Sequence, residues 1–183
     1  MVGVSERQGL SDLVSYEKVV VDAGPLMSIL VLKYAFTLEP GAAMAKIAQS
    51  RVASYLRDDS AQRAMVRLFD HVRSIATTSH VIGELQGLQQ LKGDSQTTFW
   101  EASMNWLASK GLEETLISLM ELHSHPGRRG WVCEIGPTDS GLIELAVRHR
   151  TVLLTDDRRT MLARARQNGV DCRVVHDELH FYC

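Results

Sequence analysis

The sequence predicts an α/β protein with three layers, in which helices cover both faces of a central, mainly parallel sheet. Two short runs carry this prediction, "KVVV" at 18–21 and "TVLLT" at 151–155. Both are continuously apolar, and such runs are typical of strands buried on both faces, as in parallel sheets. Candidate strands also alternate with helical segments along the chain, which is the pattern of βαβ units.

The length and composition are those of a single globular domain. The chain has 183 residues, of which 45% are hydrophobic and 23% charged, and this predicts a single domain over 1–183 with a loose leader at 1–16. The formal net charge of −2 gives no strong field toward nucleic acid, so any such binding has to come from a local patch.

The cysteine content and the hydropathy of the sequence indicate the cellular compartment in which the protein is expected. Three cysteines without a CxxC pair argue against a disulfide framework and favour a reducing environment. The N-terminus has no apolar core of signal-peptide length, and no stretch approaches the roughly 20 apolar residues that span a bilayer. The expectation is a cytoplasmic protein with no membrane partner.

The first half of the chain predicts one strand followed by helices. The strand occupies 17–22, and Gly24-Pro25 then forms a turn into a helix with apolar spacing over 26–38. Helical spacing returns at 42–57 and 60–72, so 40–72 is a helical insertion of two helices or one bent helix.

The second half predicts three or four further strands. Residues 74–78 form a short β-capable run, and Ser79 is a suitable N-cap for the helix that follows. Further helices are expected at 98–109, 112–123, 139–149 (capped by Thr138) and 158–169, and further strands at 131–136 ("WVCEIG"), 151–155 and 171–176.

Acidic residues stand where the predicted strands end or where helices begin. They are Asp22, Glu84, Asp139 and the pair Asp156-Asp157. Because chemistry in a parallel sheet gathers beyond the carboxyl ends of the strands, we expect these side chains to meet in one cleft. Clustered carboxylates repel one another and stay ionised together only with cations among them. Hard oxygen ligands of this kind suit Mg²⁺ or Mn²⁺ better than Zn²⁺.

Each acid taken alone also has a structural interpretation. Asp22 could simply cap a helix, Glu84 could be a solvated helix residue, and Asp139 could be a favourable first-turn charge. The "TDD" run at 155–157 could be a turn. Four acids in matching local contexts together favour a metal site over these separate explanations.

The contexts also resemble a known family. "VVVDAGPLMSIL", "TSHVIGEL" and "DSGLIELAVRHRTVLLTDD" are similar to the acidic motifs of PIN-domain nucleases, in the same order. That family has a strand ending in Asp, a capped helix carrying Glu, an Asp opening a helix, and a strand followed by T-x-D. The resemblance covers about 17–38 and 74–176, and the long interval between Asp22 and Glu84, which contains the helical insertion, departs from the small members.

The resemblance implies a metal-dependent endoribonuclease. Its catalytic and metal-binding acids would be Asp22, Glu84, Asp139 and Asp157, with Asp156 as a second candidate for the fourth acid. Thr155 matches the Thr of T-x-D and would position the nucleophile or cap a turn, two roles that stay open. The implied cofactor is Mg²⁺ or Mn²⁺, and the implied products carry a 5′-phosphate and a 3′-hydroxyl.

RNA binding requires positive contacts, and the sequence offers several. Arg158 and Arg159 directly follow the acidic pair and are candidates to hold phosphates beside the metal. The stretch "HPGRRGW" places Arg128, Arg129 and Trp131 on a predicted loop. Arginine beside an aromatic ring suits single-stranded nucleic acid, although a surface loop with a buried Trp explains the pattern equally well.

Two other functions remain as alternatives. The first is a catalytically weak PIN-like module that binds RNA or protein. The second is a phosphotransfer enzyme with Asp22 as nucleophile, which the glycine at position 24 disfavours because the usual D-x-D signature is absent. Expected partners are RNA, a second copy in a homodimer, and an antitoxin-like protein, since small bacterial members of the family are often toxins.

Overall fold

Five strands form one parallel sheet in the computed structural model, which describes residues 13, 16–124 and 129–179, without the side chains of 129 and 130. The strands are β1 (Lys18–Val21), β2 (Ser74–Thr78), β3 (Glu113–Thr115), β4 (Leu153–Thr155) and β5 (Cys172–Val174). Their order across the sheet is β3-β2-β1-β4-β5, and each neighbouring pair is parallel. The predicted α/β class with a parallel central sheet flanked by helices is confirmed.

Helices connect every strand to the next. They are α1 (Ala23–Ala35), α2 (Pro40–Gln49), α3 (Asp59–His71), α4 (Ser79–Leu88), α5 (Asp94–Ser109), α6 (Leu119–Ser124), α7 (Arg129–His149), α8 (Met161–Gln167) and α9 (Val175–Glu178). A 3₁₀ turn at Ser54–Leu56 separates α2 from α3, so the helical insertion consists of two helices. No described helix has the length and apolar character that a bilayer crossing requires.

The centre of the sheet is fully buried. Val20 lies opposite Ala76 of β2 on one side and Leu153 of β4 on the other. Val19, Val20 and Val21 are completely buried, which accounts for the apolar run at this position. Each such side chain contributes roughly 1.5–3 kcal/mol of transfer free energy, so β1 is a rigid base for the residue that follows it.

The prediction of a helix over 112–123 was wrong in its first half. Residues Glu113–Thr115 form the edge strand β3, and only Leu119–Ser124 is helical. An edge strand needs pairing on one side alone, and β3 obtains it from β2 through Ala76 and Thr78. Its residues are polar, so the sequence has no apolar alternation to indicate a strand.

The predicted strand at 131–136 is also wrong, because these residues belong to α7. Trp131 is buried and Val132 and Ile135 are half-buried, while Cys133 and Glu134 are exposed. These three apolar side chains are spaced i, i+1 and i+4, so in a helix they lie on one face. A run of six residues is too short for this helical spacing to be told apart from a strand pattern.

Smaller differences concern helix ends and the leader. Thr78, not Ser79, is the N-cap of α4, and α1 begins at Ala23 because Asp22 caps it. Most of the predicted leader lies outside the described residues, but Leu13 is buried against the core.

Candidate acidic site

Three adjacent strands deliver acidic residues to one edge of the sheet. Asp22 directly follows β1, Asp156 and Asp157 directly follow β4, and Glu84 lies in the second turn of α4, which begins where β2 ends. Because β2, β1 and β4 are neighbours and parallel, their carboxyl ends meet at the same edge. Topology therefore places these acids in one region of the molecule.

Asp22 is held by both of its carboxylate oxygens. Oδ1 accepts a hydrogen bond of 2.6 Å from the backbone N–H of Ala23, and Oδ2 accepts one of 2.7 Å from the Thr155 hydroxyl. The Asp22 backbone N–H donates to the Leu154 carbonyl at 2.9 Å, which fixes the end of β1 against β4. Since a carboxylate oxygen has two lone pairs, each oxygen can still bind a cation. The helix-cap and metal-ligand roles of Asp22 are thus compatible.

The turn after β4 presents Asp157 through Thr155. The Thr155 hydroxyl, fully buried, donates to Asp22 and accepts from the Asp157 backbone N–H at 3.0 Å. Asp157 Oδ1 accepts from the N–H groups of Arg159 and Thr160 at 2.8 and 3.1 Å. Burial favours a higher pKa for Asp157, but these backbone N–H groups outweigh it and lower the pKa, so Asp157 is ionised at neutral pH.

Asp139 reaches the site through a break in α7. Gly136 has φ of 84° and ψ of 169°, which separates two helical segments, and Asp139 stands in the first turn of the second. Gly141 brings this segment close to the sheet, because a Cβ there would lie 3.4 Å from Cγ2 of Thr78. The predicted cap Thr138 donates instead to Glu84 Oε1 at 2.6 Å, which connects α7 to α4.

The charges of the four acids act on one another. Burial raises the pKa of Asp139 to about 7, and the charges of Asp22, Asp157 and Glu84 add to the rise. Burial also raises the pKa of Asp22, the hydrogen bonds from Thr155 and Ala23 oppose it, and the charges of Glu84 and Asp157 raise it further. Mutual repulsion of this kind requires that the four carboxylates share one neighbourhood.

The same carboxylates do not have the geometry of a metal-coordination site in this structure. Within 13, 16–124 and 129–179, no group of three or more His, Cys, Asp and Glu side chains is arranged to hold a metal ion. The set is therefore close enough for electrostatic coupling without having metal-ligand geometry. Its donors, all carboxylate oxygens, are of the type that Mg²⁺ and Mn²⁺ prefer.

Asp156 and Asp157 differ in their surroundings. Burial raises the pKa of Asp156 to about 6, the charge of Asp22 adds to the rise, and the backbone N–H of His176 opposes it. Its Oδ1 is buried without a hydrogen-bond partner among the described residues. Gly24 permits its position, because a Cβ there would lie 3.2 Å from Asp156 Oδ2. Asp157, whose charge acts on both Asp22 and Asp139, is the better candidate for the fourth acid.

The candidate phosphate-binding residues are distributed around this edge. Arg158 is half-exposed and forms an ion pair with Asp177, and Arg159 is exposed. Trp131 is buried within α7, so it does not offer a ring on a surface loop. Arg128 and the side chain of Arg129 lie outside the described residues.

Sequence reasoning missed two side chains next to the site. Tyr55 and Arg51 line a cleft together with Asp156, although about a hundred residues separate them along the chain. No local pattern marks either residue, since the segment between α2 and α3 shows no motif. Only the packing of the helical insertion against α1 brings them to this edge.

Comparison of the chain with the known protein families finds no match, and comparison with curated proteins finds no relative.

Proposed function

We propose that this protein is a divalent-metal-dependent endoribonuclease that hydrolyses RNA phosphodiester bonds at Asp22, Glu84, Asp139 and Asp157. The observation that carries the proposal is the placement of these acids at one edge of the parallel sheet, where Thr155 is hydrogen-bonded to Asp22 and Thr138 to Glu84. The rise in the pKa of Asp139 to about 7 agrees with it. Each charge that acts on Asp139 belongs to another carboxylate. A site built in this way gains from a bound cation, and the similarity of its motifs to those of PIN-domain nucleases supports the same chemistry.

Roles follow from how each side chain is held. Asp22, Asp139 and Asp157 would hold Mg²⁺ or Mn²⁺, which supplies, when bound, a water of lowered pKa and neutralises charge on the phosphate. Glu84, fixed by Thr138, would orient the attacking water. The Thr155 hydroxyl fixes the positions of Asp22 and Asp157, because it donates a hydrogen bond to the Asp22 carboxylate and accepts one from the Asp157 backbone N–H. Arg158 and Arg159 would bind phosphates of the RNA.

A second candidate function is a module that binds RNA or protein with little catalysis. The observation that favours it is the lack, in the described part of the chain, of three side chains already placed to hold a metal. In this case the acids would be a remnant of a metal site or a structural set.

Cleavage of a single-stranded RNA labelled at its 5′ end tests the first candidate against the second. The full chain is incubated with Mg²⁺ or Mn²⁺ and compared with Asp22→Asn and Asp139→Asn, both expected to lose cleavage while retaining the fold by circular dichroism. Glu101→Gln is the matched control, because Glu101 is exposed on α5 and the same charge is removed. Equal cleavage by both site variants and wild type would exclude the proposed site, and RNA binding without cleavage by wild type would favour the second candidate.

The proposal extends to location and partners. We place the activity in the cytoplasm, in keeping with the unbonded thiols of Cys133 and Cys172. RNA is the proposed substrate, and a second copy or an antitoxin-like protein is the proposed protein partner.

A further inference from the structure

A second cleft lies directly beside the acidic site. Its volume is about 340 Å³, and its lining includes Gly24, Arg51, Tyr55, Asp156, Arg158 and His176. These residues come from the first turn of α1, the segment between α2 and α3, the turn after β4, and α9. The cleft lies beside the proposed catalytic acids, because its lining residues Gly24 and Asp156 come from the same two turns as Asp22 and Asp157, and a Cβ on Gly24 would lie 3.2 Å from Asp156 Oδ2.

The cleft wall that contains Arg51 and Tyr55 is anchored to the protein core. The buried Ser28 hydroxyl of α1 donates to the Val52 carbonyl at 3.0 Å. Ala53 and Leu56, on either side of Tyr55, are completely buried. The Leu56 carbonyl also accepts a hydrogen bond of 2.9 Å from Gln62 of α3. Arg51 and Tyr55 are therefore presented by a segment that the core holds in place.

The inner surface of the cleft combines aromatic rings with a buried phenol and a buried carboxyl. Tyr55 and His176 pack edge to face, with ring centroids 5.3 Å apart, and His176 is exposed. The Tyr55 hydroxyl and Asp156 Oδ1 are buried, and neither makes a hydrogen bond of normal geometry with the described residues. They are nevertheless close to each other, because the charge of Asp156 adds to the effect of burial in raising the pKa of Tyr55. Buried polar atoms usually have a protein or water partner, so this floor is suited to a polar ligand with bridging water.

Two guanidinium groups supply positive charge at the rim. Arg51 is exposed and makes no ion pair with the described residues. Arg158 already pairs with Asp177, which offsets part of its charge. Guanidinium groups recognise phosphate through charge-assisted hydrogen bonds, and arginine beside aromatic rings is typical of sites for single-stranded nucleic acid.

We propose that this cleft binds the nucleotide next to the cleaved bond of a single-stranded RNA. Arg51 and Arg158 bind the phosphate, and the base lies against the ring pair of Tyr55 and His176. The proposal rests on the ribonuclease function proposed above and gives the helical insertion a role as one wall of the substrate site. The acids of the metal site and the arginines of the cleft then hold successive phosphates of the same strand.

Binding of a fluorescein-labelled single-stranded oligoribonucleotide to the full chain, followed by anisotropy in EDTA, tests this site without turnover. Arg51→Gln is expected to weaken binding about three- to tenfold. It should also reduce the slope of log Kd against log salt by about 0.7, the value for one phosphate contact on a single strand. The control is Arg63→Gln, an exposed arginine on α3 outside the cleft, which removes the same charge. Equal Kd and equal salt slope for the two variants would overturn the site.

The ion pair of Arg158 provides a test in the opposite direction. Asp177→Asn frees the Arg158 guanidinium, so it should tighten RNA binding by about two- to fivefold. Glu101→Gln removes the same charge away from the cleft and should change the affinity less. If Asp177→Asn weakens binding or matches Glu101→Gln, the role assigned to Arg158 is wrong.

Cleavage assays separate failure of this site from failure of the ribonuclease proposal. If wild type cleaves RNA and Arg51→Gln has the same KM as Arg63→Gln, the RNA-binding role of the cleft is wrong and the ribonuclease proposal is retained. If wild type binds RNA with the expected dependence on Arg51 but never cleaves it, the cleft is an RNA-binding site and the ribonuclease proposal is wrong. Absence of both binding and cleavage would overturn both proposals.

Discussion

Removal of the Asp139 charge should stabilise the metal-free protein while abolishing cleavage. The pKa of Asp139 rises from an ordinary 3.8 to about 7 because the carboxyl is partly buried among other carboxylates. One pKa unit corresponds to about 1.4 kcal/mol, so ionised Asp139 would lower the free energy of unfolding by about 4 kcal/mol. The carboxyl is only half-buried, and solvent screening reduces this value to about 1–2 kcal/mol.

The sign of the effect follows from where Asp139 is protonated. Below pH 4 the carboxyl is protonated in both the folded and the unfolded chain, and its replacement changes little. Between pH 4 and about 7 the unfolded chain ionises first, so wild type progressively loses stability relative to Asp139→Asn. Above pH 7 the full difference is present, and it corresponds to a rise in Tm of about 3–6 °C for a chain of this length.

Thermal unfolding in EDTA at pH 4 and pH 8, followed by circular dichroism, measures this difference. Asp139→Asn should gain about 3–6 °C at pH 8 and almost nothing at pH 4. Glu101→Gln, the exposed control on α5, should change by less than about 1 °C at either pH. An unchanged or lower Tm of Asp139→Asn at pH 8, or an equal gain at both pH values, would show that burial and the neighbouring carboxylates do not destabilise ionised Asp139 as described.

Three further predictions concern the same edge of the sheet. Mn²⁺ should raise the Tm of wild type by more than that of Asp139→Asn, and excess EDTA should reverse the rise; equal shifts would place metal binding elsewhere. Thr155→Val removes the hydrogen bond to Asp22 and the acceptor for the Asp157 backbone, so urea unfolding should show a loss of about 1–3 kcal/mol, against no change for the exposed Thr97→Val. Gly136→Ala introduces a side chain at φ of 84°, so a loss of about 1–3 kcal/mol with reduced cleavage is expected, whereas Gly87→Ala in α4 has free space around it and should not destabilise the fold.

The acidic site was partly predictable because its members mark the ends of clear local patterns. Asp22 ends a fully apolar run, and Asp156-Asp157 ends another, so the shared edge follows from the rule for parallel strands. Glu84 and Asp139 were included because each lies near the start of a predicted helix, and the motif resemblance strengthened their choice, since a solvated carboxylate on a helix is ordinary. The start of a helical segment at Asp139 was predicted, but the helical segment before Gly136 was not, because 131–136 has the short apolar run of a strand.

The sequence by itself determined the α/β class, the strands β1, β2, β4 and β5, and the positions at which the acids follow them. These features depend on local apolar runs and on turn residues, which the chain order records directly. Tertiary structure alone decided the polar edge strand β3, the hydrogen bonds from Thr155 to Asp22 and from Thr138 to Glu84, and the cleft of Arg51, Tyr55 and His176. The physical reason is that pairing, burial and electrostatic coupling depend on distances between residues far apart in the chain, for which local sequence patterns carry no signal.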